Sequence, residues 1–250
     1  MAYARPRLYV LPGSHPCAAV EAALRLKSIS YDRVTLLPLT QVLVGPLSYG
    51  GITVPGMRLD GERLVGSRPI MRRLDLLVAE PALLPQPREP SYSRVLEAER
   101  WGDETFQDVP RRLIDVAFLR SPAAMESYAA GRRLPVPIEL LRPTTPLVAR
   151  LMAIRNGARD ETARADLDEL SEQLETIDAW IGEGLLGGEP PNAADLQIGS
   201  TVRLLMSIGD VRPLIEGRPA AQLARYFPPI TGEIEPGVLP AQWLPSPVSG

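Results

Sequence analysis

The sequence predicts an α/β domain over residues 1–80 and an all-helical domain over residues 91–227. Three observations predict it. An apolar run, a tight turn, a helical period and a second apolar run succeed one another over residues 8–37, the order of a βαβ unit. Asp60-Gly61 then separates two short apolar runs, the mark of a hairpin. A proline-dense linker at 81–90 gives way to patterns of helical period, and a proline-rich tail closes the chain at 228–250.

The first run, Leu8-Tyr9-Val10-Leu11, reads as a buried strand, broken by Pro12 and Gly13. Ala19, Ala23 and Leu26 then fall on one side of a helix, with Val20 and Leu24 beside them. Ser14 and Cys17 thus stand at a helix N-terminus, where unpaired N–H groups and the helix dipole favour a thiolate or carboxylate. Residues 31–37 read as a second, parallel strand. Residues 38–51, interrupted by Pro and Gly, read as a short irregular helix with loops. The hairpin strands are 52–59 and 62–65. Pro55 lies in the first of them and cannot donate to the ladder. It is either a cis proline or an ordinary trans proline at a strand start. Ser67 reads as the N-cap of a helix running to about Val78, with Pro69 in its first turn.

In the second domain Val95, Ala98, Trp101, Thr105, Val109 and Leu113 have helical spacing, and Pro110 is expected to kink that helix. Pro122 and the prolines of 134–146 interrupt the pattern. One long helix is expected from about Leu147, with Leu167, Leu170, Leu174, Ile177 and Ile181 as its apolar stripe. Asn192 and Asp195 make a capping box, with Asp in place of the usual Glu, opening a helix to about Ile208. Asp195 reads as structural. Short helices follow at 211–216 and 220–226, and the tail is expected to wrap the surface as coil.

With 250 residues, a net charge of −3 and 45% hydrophobic content, the chain reads as a soluble globular protein. Acidic and basic residues are interspersed, so neither nucleic acid nor a membrane is an expected partner. The single cysteine excludes an internal disulfide and a cysteine-cluster metal site. The single histidine, His15, excludes a two-histidine metal site and leaves a Ser-His-Asp triad one candidate base. No metal is expected. No apolar stretch of about 18 residues occurs, and Pro12-Gly13 interrupt any signal-peptide core. The expected location is the cytoplasm.

Ser14-x-x-Cys17, Val54-Pro55, Gly66-Ser67 and Asn192-x-x-Asp195, in this order, make the chain resemble the cytosolic glutathione transferases over residues 7–227. The resemblance implies a thioredoxin-like first domain and a glutathione-transferase-type helical second domain. It places Ser14 where many such enzymes carry their catalytic Ser or Cys. Cys17 takes the second position of a glutaredoxin-like C-x-x-C whose first cysteine is here a serine. Pro55 is by resemblance a cis proline, and Val54 pairs through its main chain with a bound thiol peptide. Gly66-Ser67 stand where the family has Glu-Ser to hold the γ-glutamyl end of glutathione. Ser67 matches, and Gly66 lacks the carboxylate.

What the resemblance implies is an enzyme joining a co-substrate, glutathione or a related low-molecular-weight thiol, to a small hydrophobic electrophile. Ser14 would hydrogen-bond the substrate sulfur and lower its pKa, because a bond to the charged form favours that form. Trp101, Thr105 and Phe106 are the expected hydrophobic wall for the electrophile. A homodimer is expected, since family members commonly dimerise. Two other readings stand beside this one. The first is a non-catalytic scaffold of the same fold that binds a ligand or a partner protein, which Gly66 favours. The second is a thiol-disulfide reductase acting through Cys17; against it, a lone cysteine also suits a small buried hydrophobe. His15 is either a base or an exposed, idle loop residue.

Overall fold

The computed structural model describes residues 3–131 and 133–245. Strand β1 (Arg7–Val10) leads into α1 (His15–Leu26) and then β2 (Asp32–Thr35), which pairs parallel to β1 with Arg7 opposite Asp32 and Val10 opposite Thr35. Helix α2 (Gln41–Ser48) follows, with Pro46 inside it. Strands β3 (Gly56–Leu59) and β4 (Glu62–Val65) form an antiparallel hairpin, and β3 pairs antiparallel with β1. The sheet order is β2-β1-β3-β4. Asp60 and Gly61 both have positive φ, 49° and 84°, as the tight hairpin turn requires.

Helices α1 and α3 (Ser67–Leu77) share a core with the sheet through Leu8, Val10, Ala23, Met57, Ile70 and Leu74. Tyr9, Leu36 and Tyr49 form a separate cluster beside α2. The chain's one lysine closes this domain. Lys27 caps the C-terminus of α1 with its side chain fully buried. Its Nζ donates to the carbonyls of Val78 (2.6 Å) and Pro81 (2.8 Å) and pairs with Asp75 at 2.7 Å. Sequence spacing carries no sign of this arrangement, which locks the start of the linker onto α1.

The second domain begins with α4 (Ser91–Trp101), a π-helical turn (Gly102–Phe106) and α5 (Asp108–Arg120). The irregularity expected at Pro110 is therefore earlier in the chain. Pro110 sits in the first turn of α5, where a missing N–H costs little, and Gln107 N donates five residues back to Gly102 O. Gly102 packs against Ile198, where a Cβ would come within 2.7 Å of that side chain. Short helices α6 (Ala124–Ala129) and α7 (Ile138–Leu141) lead to α8 (Thr145–Asn156) and α9 (Asp160–Gly182). The single long helix expected from Leu147 is thus two helices. Gly157 at φ 65° ends α8, as left-handed glycines do after a helix.

Helix α10 (Ala193–Leu205) is buried almost all round, so it is the spine of the molecule. Ala194, Ile198 and Val202 enter the helical core, while Ala193 and Leu196 enter the core of the first domain. Its N-terminus carries the expected reciprocal cap. Asp195 N donates to Asn192 Oδ1 (3.0 Å), Asn192 N donates to Asp195 Oδ2 (2.9 Å), and Gly187 N donates to Asp195 Oδ1 (2.7 Å). Beyond the 3-10 turns at Arg212–Leu214 and Pro219–Tyr226, the tail is not all coil. Ile234 bridges to Ile208, and Ala241–Trp243 makes a further 3-10 turn. Residues 246–250 of the tail lie outside the described residues.

Candidate active site

Pro12 and Gly13 end β1 at a turn that delivers Ser14 to the N-cap of α1. Ser14 N donates to Leu11 O (3.3 Å) and Ser14 O accepts from Ala18 N (3.1 Å), but its hydroxyl makes no capping bond. The half-buried side chain is left facing a cavity. His15 and Cys17 belong to the first turns of α1. His15 is neither exposed nor in a loop. It is 3% exposed, and its pKa is held well below 6.5 by burial, with the Arg111 guanidinium adding to the shift. A ring N–H donates to the Gln107 carbonyl, which opposes the shift without reversing it. The imidazole is therefore neutral at pH 7 and a weak base. Cys17 is 1% exposed, and burial pushes its thiol up to about 12, outweighing a hydrogen bond with Ser14. It is a packed neutral thiol, far from the thiolate a reductase needs.

The cavity lies between the domains and has a volume of about 460 Å³. Ser14 and His15 line it from the first domain, with Thr40 and Gln41 at the start of α2. Val54 lines it too, immediately before Pro55, and the Val54–Pro55 bond is cis. Gly66 N donates to Pro55 O at 2.9 Å, which ties the hairpin to the start of α3. From the second domain come Arg111, Ile114, Asp115 and Phe118 of α5, with Met152 and Asn156 of α8. Most of this wall is apolar, and Asp115 and Asn156 make a polar place in it. Arg155 Nη2 donates to Ile52 O at 2.9 Å and straps α8 to the segment before Val54.

Residues 8–82 match the family model described as glutathione S-transferase, N-terminal domain. That match falls within the first domain and its linker. Solved structures extend the likeness to the whole chain. A glutathione S-transferase from Sinorhizobium meliloti 1021 is 14% identical, with 96% of this chain and 99% of that one covered at a TM-score of 0.60. One from Rhodospirillum rubrum F11 is 20% identical, covering 88% and 86% at 0.60. A maleylacetoacetate isomerase from Anaeromyxobacter dehalogenans 2CP-1, solved with glutathione in its active site, is 18% identical, covering 89% and 87% at 0.50. The chain therefore has the cytosolic glutathione-transferase fold, a thioredoxin-like domain followed by a helical one. No curated protein sequence matches it.

Within this transferase fold several expected site residues take other places. Gly66, at φ 91°, is the N-cap of α3, and Ser67 is the first helical residue. The Ser67 side chain is 2% exposed and its hydroxyl donates to Gln197 Oε1 of α10 at 2.7 Å. The next turn is engaged in an ion network. Arg72 makes a two-pronged pair with the fully buried Glu99 of α4, and Arg68 Nη1 donates to Glu104 at 3.0 Å. Neither Gly66 nor Ser67 lines the cavity.

The expected electrophile wall is also elsewhere. Phe106 is fully buried in the helical core, Trp101 stacks on it at 5.2 Å and meets Trp180 edge-on, and Thr105 is exposed. None of the three lines the cavity. The second domain's side of the cavity is built one stretch later, from α5 and α8. Arg111 and Asp115, four apart on α5, were the available signal in the sequence, since charged residues there interrupt an apolar face.

Proposed function

We propose that this transferase-fold protein catalyses attack of a low-molecular-weight thiol, glutathione or a relative, on a small hydrophobic electrophile. The observation that carries the reading is the Ser14 hydroxyl at the mouth of α1. It is free of any capping bond and shares one cavity wall with Val54 before the cis Pro55. Val54 offers main-chain hydrogen bonds to the thiol's peptide portion. Ser14 donates to the sulfur and, with the dipole of α1, favours the thiolate. The sulfur's proton goes to water, because neutral His15 has a depressed pKa and is a poor acceptor. The thiolate then forms the C–S bond with the electrophile held against α5 and α8, and the carbon's leaving group departs with its electron pair. The protein works as a homodimer in the cytoplasm on this reading.

The test is conjugation of a chromogenic aryl halide by glutathione, and by a thiol lacking the γ-glutamyl group. Wild-type protein turns over at least one pair, and Ser14→Ala lowers kcat/KM about a hundredfold. Absence of turnover with every thiol, or an unchanged rate in Ser14→Ala, removes this reading. A second reading, a ligand-binding protein without catalysis, is favoured by one observation. The Ser67 hydroxyl that the family resemblance assigns to glutathione is spent on Gln197.

A further inference from the structure

We infer that Asp115, held by Asn156, is the specificity-determining group of the interdomain cavity, and that the electrophile it selects has an apolar body ending in a hydroxyl or amine. For the place of the sulfur this rests on the proposed function; for the ligand's polar end it does not.

Asp115 is 1% exposed and stands on the cavity wall. Its Oδ2 accepts from Asn156 Nδ2 at 2.6 Å, which fixes the carboxyl's orientation from α8. Its Oδ1 accepts no hydrogen bond among the described residues and is not fully enclosed by protein, so it is the acceptor open to the cavity. A buried carboxyl with one oxygen idle is costly unless a ligand or water satisfies it. Around it the wall is Ile114 and Phe118 from its own helix and Met152 from α8, none of which can hydrogen-bond strongly through its side chain. Burial pushes the carboxyl's pKa up to about 6 against the opposing pull of Asn156 and of Arg111, one turn earlier on α5, whose own donors go to Asp108 (2.7 Å) and Gln107 (3.4 Å). Glu126, also on the wall, is paired with Arg142, and Arg155 with the Ile52 carbonyl. The idle Asp115 oxygen is therefore the strongest unsatisfied acceptor a ligand meets on the α5–α8 side. Ser14 stands on the opposing wall, from the first domain. A ligand filling the space reaches both, with its reactive carbon toward Ser14 and its donor toward Asp115. A site built to satisfy a hydroxyl discriminates against the analogue that lacks the O–H, because the protein's buried acceptor is then left bare.

The test needs no thiol and no turnover. Binding of butylbenzene, 4-phenylbutan-1-ol and its methyl ether to the wild-type chain is measured by calorimetry at pH 7.5. The alcohol is expected to bind about tenfold more tightly than the ether, which has the same oxygen but cannot donate. Asp115→Leu is expected to abolish or reverse that order. The inference is overturned if the alcohol and ether bind alike to the wild type, if neither binds, or if a folded Asp115→Leu keeps the preference. The wild-type comparison stands even if the variant does not fold. An inactive protein that prefers the alcohol would sink the conjugation reading and leave this one intact.

Discussion

The Ser67 hydroxyl donates to Gln197 Oε1 across 2.7 Å, joining the first turn of α3 to the middle of α10 and so one domain to the other. Both side chains are buried. Ser67→Ala would strand a buried amide oxygen, at a cost of about 1–3 kcal/mol. Urea denaturation is expected to show that loss. A Gln197→Leu background should make the Ser67 change much cheaper, since the two partners act as a unit. Equal costs in both backgrounds would mean that the bond contributes nothing.

Lys27 is expected to matter more for stability than any surface charge. Lys27→Met leaves Asp75 and the carbonyls of Val78 and Pro81 without their buried cation. Breaking a buried pair from one side costs about 3–5 kcal/mol. Thermal or urea melting should register it, whereas Arg94→Met, which breaks an exposed pair with Glu183, should stay within about 1 kcal/mol.

The pH dependence of stability should carry the imprint of Asp115. Burial raises its pKa from 3.8 to about 6, more than Asn156 and Arg111 lower it. The folded chain therefore takes up this proton before the unfolded chain does. Its contribution is fully present below about pH 4 and is lost as pH rises through about 6. Asp115→Asn should remove that component, so wild-type and variant profiles measured from pH 4 to 7.5 should diverge in slope across this window. Parallel profiles would contradict the assignment.

Cys17, as the sole cysteine, gives a clean readout of its own burial. A neutral thiol at 1% exposure should react with a disulfide reagent at pH 7.5 about a hundredfold or more slower than the same thiol in unfolded chain. Fast labelling of the native protein would restore the reductase reading.

Local chemistry was readable in the sequence, and long-range pairing was not. Asp60-Gly61 and Asn192-x-x-Asp195 announce a turn and a cap because every atom of each device lies within a few residues. Asn156-Gly157 is a local stop of the same kind, yet the helix expected from Leu147 runs through it, and α8 ends there. The union of Ser67 with Gln197 spans 130 positions, and no local rule links them. The cavity wall fell between these cases. Periodicity identified an apolar face running from Val95 to Leu113, but Trp101 on it and Phe106 beside it turn into the helical core, and the helices that wall the cavity are α5 and α8. Which neighbour a face meets is a tertiary fact. His15 illustrates it again, since the Gln107 carbonyl and the Arg111 charge that act on its buried ring come from the other domain.

The π-helical turn at Gly102–Phe106 sets the rotational phase of everything after it. An α-helix advances about 100° per residue, and a π turn holds one residue more than an α turn. That surplus residue dials α5 around its axis, so that Arg111, Asp115 and Phe118 come to rest under the first domain. Excising a single residue from the turn would leave the helix continuous yet swing Asp115 through roughly a quarter revolution, presenting the cavity with a different set of side chains while altering none of them.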